Sequence, residues 1–302
     1  METLPHQEIP EILYLDKGWS LTEQGFARIV DLLNTQGAPR SILEFGSGRS
    51  TVRFSLTFPQ ASILSLESDR LEFLEAQRLA HQFGRENAIT LRHCPLAPHA
   101  YGDGEIASYQ SEPLVCERRF DCVIIDGPPF YILRGREICL YESYSSLEIG
   151  GLVILDDFSR KAEQTIVANW LSVYPGSFAP PRVLDSRHGI AVLQKVKSVA
   201  PNWQSETLKA DRQKVAARRR RIRDALVHLD DNAWLVLLNH LYPNDAASPN
   251  RSAGMMKAIR DAHGVSQEQI REALTSDAML PDTDRQLLVD NCFKILENEI
   301  ME

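Results

Sequence analysis

The feature that most restricts this chain is an alternation that runs from residue 41 to residue 157. Short apolar runs, most with an acid at or next to the end, alternate with segments whose apolar residues recur at helical spacing. The runs are "ILEF", "SILSLES", "AITLRHC", "FDCVIID" and "GLVILDD". Each is short enough for a buried strand. Between them, residues 51–58 read as a helix stopped by Pro59, and "RLEFLEAQRLAHQFG" as one closed by Gly84. "REICLYESYSSLEIGG" reads as helical until Gly150 and Gly151, and "KAEQTIVANWLSVYPG" as a further helix. Ahead of the first run, "SLTEQGFARIVDLL" opens with Ser20 and has Glu23 three residues on, a capping-box pattern. "PRVLDSRHGIAVLQKV" reads as two strands around a turn. This predicts an α/β fold: a doubly wound, mostly parallel, seven-stranded Rossmann-like sheet with an antiparallel edge.

Past residue 198 the strand signal stops. "SVAPNWQSE" reads as a linker. Residues 205–230 read as one long helix with Leu208, Val215, Ile222 and Leu229 spaced by seven, and four more helical segments follow. The expected division is an N-terminal extension (1–20), an α/β domain (21–198) and a C-terminal all-α domain (199–302). The apolar block at 234–241 needs burial, and the tail is expected to support self-association, to recognise a larger substrate or to close over the site.

Composition excludes several classes. The net charge of −8 gives no overall attraction to nucleic acid. "ARRRRIRD" packs five arginines into six positions, but residues 201–302 hold 14 basic and 16 acidic side chains, so that run is offset locally. No apolar run approaches the roughly 18 residues that span a bilayer. The N-terminus lacks a basic start and a long apolar core, so no signal peptide is expected. The five cysteines form no CxxC pair, which argues against zinc and fits reduced thiols in a cytoplasm. His81, His99 and His188 read as surface residues.

The chemistry is concentrated at two places. "EFGSGRST" follows the first strand and opens a helix. Unpaired N–H groups at such a helix start point at a ligand, and glycine lets the backbone approach it. An acid about 20 residues on, Glu67, ends the second strand, where it can accept from ribose hydroxyls. Thr51 stands where a dinucleotide fingerprint has its third glycine. Glu44, beside the loop, suits a cationic ligand better than a pyrophosphate. The second place is the tips of the fourth and fifth strands, where Asp126, Asp156 and Asp157 converge. Like charges so packed need neutralising, and hard oxygens suit Mg²⁺ or Mn²⁺. Asp126 as an acceptor-orienting residue and Asp156 as a helix cap are the alternatives.

The pattern "LEFGSGRST…SLESD…FDCVIIDGPP…GGLVILDD" resembles the class I S-adenosylmethionine-dependent methyltransferases over roughly residues 20–197. That resemblance implies S-adenosylmethionine as cofactor. It implies a donor site at Glu44, Phe45, Gly46, Ser47, Gly48, Ser50, Thr51, Glu67, Ser68, His93, Cys94 and Asp126. The strand-tip acids resemble those of metal-dependent small-molecule O-methyltransferases, which implies Asp126, Asp156 and Asp157 as ligands of Mg or Mn, with Asp157 where those enzymes have Asn. "IDGPP…RGRE…LDDFSRKAE" also looks like methyltransferases of polysaccharide and glycoside modification, in which Arg134 or Arg136, and Arg160, match recurring arginines. Asp126, Asp156, Asp157 and Arg160 are the expected catalytic set. A sugar, a small natural product or a peptide side chain is the expected acceptor. Aminopropyl transfer on the same fold and a non-catalytic binding module remain open.

Overall fold

The computed structural model describes residues 10–15, 21–129 and 132–227, together with Arg260, Val265 and Gln269. A 3₁₀ turn, Glu11–Leu13, precedes α1 (Glu23–Gln36), β1 (Ser41–Phe45), α2 (Arg49–Thr57), β2 (Ser62–Glu67), α3 (Arg70–Gln82) and β3 (Ile89–His93). Then come β4 (Leu96–Tyr101), β5 (Gly104–Tyr109), the short α4 (Glu112–Val115), β6 (Phe120–Ile125), α5 (Gly135–Ser143), β7 (Leu147–Leu155) and α6 (Lys161–Val173). Strands β8 (Arg182–Leu184) and β9 (Ile190–Gln194) and helix α7 (Glu206–Leu226) complete the described chain.

Seven strands form one sheet in the order β3-β2-β1-β6-β7-β9-β8. The β1–β2, β1–β6, β2–β3 and β6–β7 pairs are parallel, and β9 runs antiparallel to both neighbours. This is the expected doubly wound sheet. Its central strands are buried nearly throughout because helices cover both faces. One core cluster holds Phe45, Val123, Trp170 and Leu193, and the other holds Ile29, Val52, Ile124 and Val192. The strand order reverses between β1 and β6, so the crevice outside their carboxyl ends is where a ligand sits in such a sheet.

Several local readings differ. The cap of α1 is Thr22, whose side chain accepts from Gly25 N–H, and Ser20 lies outside the described residues. Helix α5 stops at Ser143, because Leu147 already pairs with Phe120 in the sheet. The buried Lys195 ammonium donates to the carbonyls of Tyr144 and Leu147 and closes that helix end. The antiparallel hairpin β4–β5 stands apart from the main sheet. Its turn residues, Gly102, Asp103 and Gly104, are a hairpin signal that the alternation argument passed over.

The described residues just outside 21–198 pack against the sheet unit. Leu13 and Leu15 lie in the core beside α1 and α2. The stretch read as a linker is fastened: Val199 N–H donates to the Tyr144 hydroxyl, Asn202 N–H to the Val173 carbonyl, and Trp203 meets Tyr141 edge-on. Leu208 and Val215 bury themselves in the sheet's own core, so that part of the seven-residue stripe is used within the chain. The Ile222 side chain, Leu229 and the four later helical segments lie outside what is described, apart from isolated residues.

Candidate active site

The two chemical places meet because the loops after β1 and β6 are tied together. The Phe45 carbonyl accepts from Asp126 N–H at 3.0 Å and Gly127 N–H at 2.8 Å. Gly46, with φ +96°, donates to the Leu66 carbonyl. A side chain on Gly127 would lie 2.3 Å from the Tyr109 hydroxyl and 3.0 Å from Gly46 Cα. At Gly48 the opposite holds, since nothing lies within 4 Å of where a Cβ would be. The turn is thus packed shut behind Gly46 and open in front of Gly48, at the N-terminus of α2.

The donor-side residues separate into an exposed rim and a buried support. Gly46, Ser47, Gly48 and Ser68 are partly exposed. Glu44 is 1% exposed, and its carboxylate accepts from Ser50 Oγ (3.0 Å), Thr51 Oγ1 (2.5 Å) and Ser65 Oγ (2.7 Å). The β1–β2 register puts Ser65 directly beside Glu44. Glu44, Ser50 and Thr51 therefore brace the turn from beneath instead of lining its opening. Phe45 likewise packs its ring on Tyr109 and contributes only its carbonyl. Burial raises the Glu44 pKa to about 6, against the lowering effect of the three hydroxyls.

Glu67 ends β2 as expected. Its carboxylate accepts from Ser47 N–H at 2.8 Å and Asp69 N–H at 2.7 Å, which joins the glycine turn to the β2 tip. Burial raises its pKa to about 7. His93 follows at the β3 tip, with Nε2 3.2 Å from the Ser68 carbonyl. Cys94 is buried, its thiol 3.6 Å from the Gln110 carbonyl, so its side chain faces away from this rim.

On the other side, Asp126, Asp156 and Asp157 come together, with one carboxylate oxygen of each within 4.8 Å of the others. Asp126 Oδ2 accepts from Leu21 N–H at 3.3 Å, and Oδ1 has no hydrogen-bond partner among the described residues. Burial, then the Asp156 charge, pushes the Asp126 pKa well up. Burial, then Asp157, pushes Asp156 to about 7. These acids are not left uncompensated. Asp157 Oδ2 accepts from Arg136 at 3.0 Å and lies 2.8 Å from the Arg160 guanidinium. Helix α6 has Arg160 at its N-cap with no side-chain cap bond, so Asp156 is not a helix cap.

Arg136 is the residue that organises this side. Its side chain is 6% exposed, and it donates to the carbonyls of Asp126 (2.7 Å), Pro128 (3.1 Å) and Asp156 (3.3 Å) as well as to Asp157. Burial opposes its charge, and Asp157, Glu163, Asp126 and Asp156 more than offset that, so it stays protonated. The sequence offered Arg134 and Arg136 as equals and the fold separates them. Glu163, 3.8 Å from both Arg136 and Arg160, is a fourth acid that the motif did not mark. Tyr109, beneath Gly127, was missed with its hairpin. His99 is half-buried, 3.3 Å from Glu142, and not on the surface.

The fold is that of a doubly wound α/β protein with an antiparallel edge. No family model matches the chain, and no curated protein matches it. Among solved structures, the chain is similar to the SAH-bound methyltransferase PaMTH1 of Podospora anserina, at 16% identity and a TM-score of 0.47, over 63% of this chain and 89% of that one. An O-methyltransferase of Bacillus cereus in complex with SAH is 13% identical, with a TM-score of 0.45 over 59% of this chain and 84% of that one. The O-methyltransferase TomG of Streptomyces achromogenes, involved in tomaymycin synthesis, is 14% identical, with a TM-score of 0.43 over 59% of this chain and 83% of that one. Among the described residues, no helix is long and apolar enough to cross a membrane.

Proposed function

We propose that this chain is an S-adenosylmethionine-dependent methyltransferase acting on a hydroxyl of a sugar or small natural product. One observation carries the reading: an open glycine turn and a trio of carboxylates face each other across the switch point of a doubly wound sheet. In this reading the backbone at Gly46, Ser47 and Gly48 holds the methionine end of the donor. Glu67 and Ser68 hold its ribose, and His93 borders its adenine. When bound, the donor supplies a methyl group activated by the sulfonium charge. The chain's own part is to fix the acceptor oxygen in line with that methyl, to exclude water and to take the hydroxyl proton. Asp126 and Asp156 suit the last task, because burial raises the pKa of both, that of Asp156 to about 7.

A divalent ion of the Mg or Mn kind fits the same carboxylates. The donors are hard oxygens, they converge, and Asp126 Oδ1 has no hydrogen-bond partner among the described residues. Asp126, Asp156 and Asp157 would hold it, and it would lower the pKa of the acceptor hydroxyl. The two arginines on Asp157 favour a second reading, in which Arg136 and Arg160 supply the positive charge and no ion takes part.

Calorimetry with S-adenosylhomocysteine is the first test, and saturable binding is expected. Methyl transfer to a panel of sugars, phenols and peptides, with and without a chelator, is the second. A product heavier by one methyl supports the reading, and one heavier by an aminopropyl group replaces it. Loss of activity in chelator with rescue by Mg²⁺ or Mn²⁺ selects the metal form. No binding of S-adenosylhomocysteine by the folded chain overturns the proposal.

A further inference from the structure

Two non-glycine residues in the described chain adopt left-handed backbone: Asp157, in the acid cluster, with φ +63°, and Arg134, two residues before Arg136, with φ +57°. Such a residue costs free energy and persists where its surroundings hold it. Asp157 is held by Arg136 and Arg160. Arg134 is held from a different quarter. Its Nε and one terminal nitrogen donate to the two carboxylate oxygens of Asp211, at 3.1 and 2.9 Å, and its other terminal nitrogen donates to the Ala162 carbonyl at 3.1 Å. Both side chains are nearly buried, at 6% and 9% exposure.

Asp211 belongs to α7, beyond the α/β unit. We propose that it is a positioning residue for residues 132–137, setting where α5 begins and so where Arg136 reaches the acids. The covalent path is short. Arg134 is the N-cap of α5, and its carbonyl accepts from Glu137 N–H at 3.0 Å. Two residues on from Arg134, Arg136 binds three carbonyls and Asp157. Among the described residues, the other carboxylate within ion-pair distance of Arg134 is Glu137, at 4.0 Å, and it is already bonded to Tyr101, Tyr141 and Asn169. Asp211 is itself held by the Tyr101 hydroxyl at 3.0 Å and Asn169 Nδ2 at 2.8 Å. Hairpin, α6 and α7 therefore converge on one carboxylate that fixes the guanidinium. A contact that shifts α7 reaches Arg136 and the acids by this route.

That the acids Arg136 reaches serve an acceptor rests on the function proposed above, but the ordering of residues 132–137 can be read without any acceptor. The experiment is amide hydrogen exchange by mass spectrometry on the full chain, comparing wild type with D211N, D211E and R134M. Exchange in residues 132–137, which include the bonded N–H groups of Gly135 and Glu137, is expected to be at least about tenfold faster in D211N and R134M. D211E is expected to restore wild-type exchange there, and residues 41–57 are expected to be unchanged in every variant. Faster exchange confined to 206–226, or none at all, overturns the proposal. If D211N does not fold, the double variant R134M/D211L removes both charges at similar volume. Wild-type exchange at 132–137 in that variant overturns the proposal equally. Affinity for S-adenosylhomocysteine, measured on the same samples, keeps the two questions apart: its absence in wild type speaks against the methyltransferase reading and leaves the exchange result to stand.

Discussion

The donor side and the acid side of the crevice bury the same chemical group and neutralise it by different means. Glu44 and Glu67 have hydroxyl or backbone N–H partners, and among the described residues neither has a cation within ion-pair distance. Asp126, Asp157 and Glu163 instead share two guanidinium groups, Arg136 and Arg160. A hydroxyl can turn to serve a charged or a protonated carboxyl, so Glu44 tolerates a change of charge, whereas the backbone N–H partners of Glu67 only donate. A guanidinium only donates, so the acid side is set for negative charge and is costly to disturb. A glycine turn that must hold shape for a ligand carrying both signs of charge suits the first arrangement. A cluster that must direct protons or a cation suits the second.

The largest break in this contrast is R136M. It strips the hydrogen bonds from three buried carbonyls and leaves Asp157 with one cation, so a loss of about 3–5 kcal/mol in urea unfolding is expected. R136K keeps the charge but not the planar fork and is expected to recover only part of that. The loop contact is next. G127A puts a methyl group against the Tyr109 hydroxyl and Gly46, and a loss of about 3 kcal/mol by the same measurement is expected.

The donor side should respond to pH more than to charge removal. Because burial raises the Glu44 pKa from 4.5 to about 6, the folded chain binds that proton more tightly than the unfolded one. This contribution is complete below about pH 4.5 and is lost as pH climbs through 6, a loss of roughly 2 kcal/mol by pH 7.5. E44Q keeps a group that the three hydroxyls can satisfy, so its stability should fall less than that of wild type between pH 4.5 and 7.5. An identical pH dependence in the two proteins would remove Glu44 from this account. The smallest stability effect is expected at Gly48. Its φ of 175° is extended backbone that any residue adopts, and a Cβ there meets nothing, so G48A should change stability by less than about 0.5 kcal/mol. The same methyl group enters the proposed cradle, so calorimetry should show weaker binding of S-adenosylhomocysteine. Wild-type affinity in G48A would mean that the ligand lies elsewhere.

Periodicity and punctuation between residues 41 and 197 were enough to read the sheet, its antiparallel turn and the two chemical places. Short apolar runs that alternate with helical segments read as parallel strands buried on both faces, and the acids at their carboxyl ends then gather at one edge of the sheet. Local pattern could not distinguish Arg134 from Arg136, two residues apart in "RGRE". One faces the acids and the other faces α7, and the choice depends on a left-handed turn and on a carboxylate 77 residues away. It could not show that Glu44, Ser50 and Thr51 satisfy one another beneath the turn, because Ser65, which completes the set, arrives through the β1–β2 register. Nor could it show that Leu208 and Val215, past the composition change at 198, find their apolar partners in the core of the sheet. Backbone preference and hydrophobic spacing act over a few residues, and so the sequence alone determined the strands of the main sheet and the edge at which their acids collect, but not the β4–β5 hairpin. Which acid meets which base is decided by distances that exist only once strands are in register and helices are packed, and that part belonged to the tertiary structure.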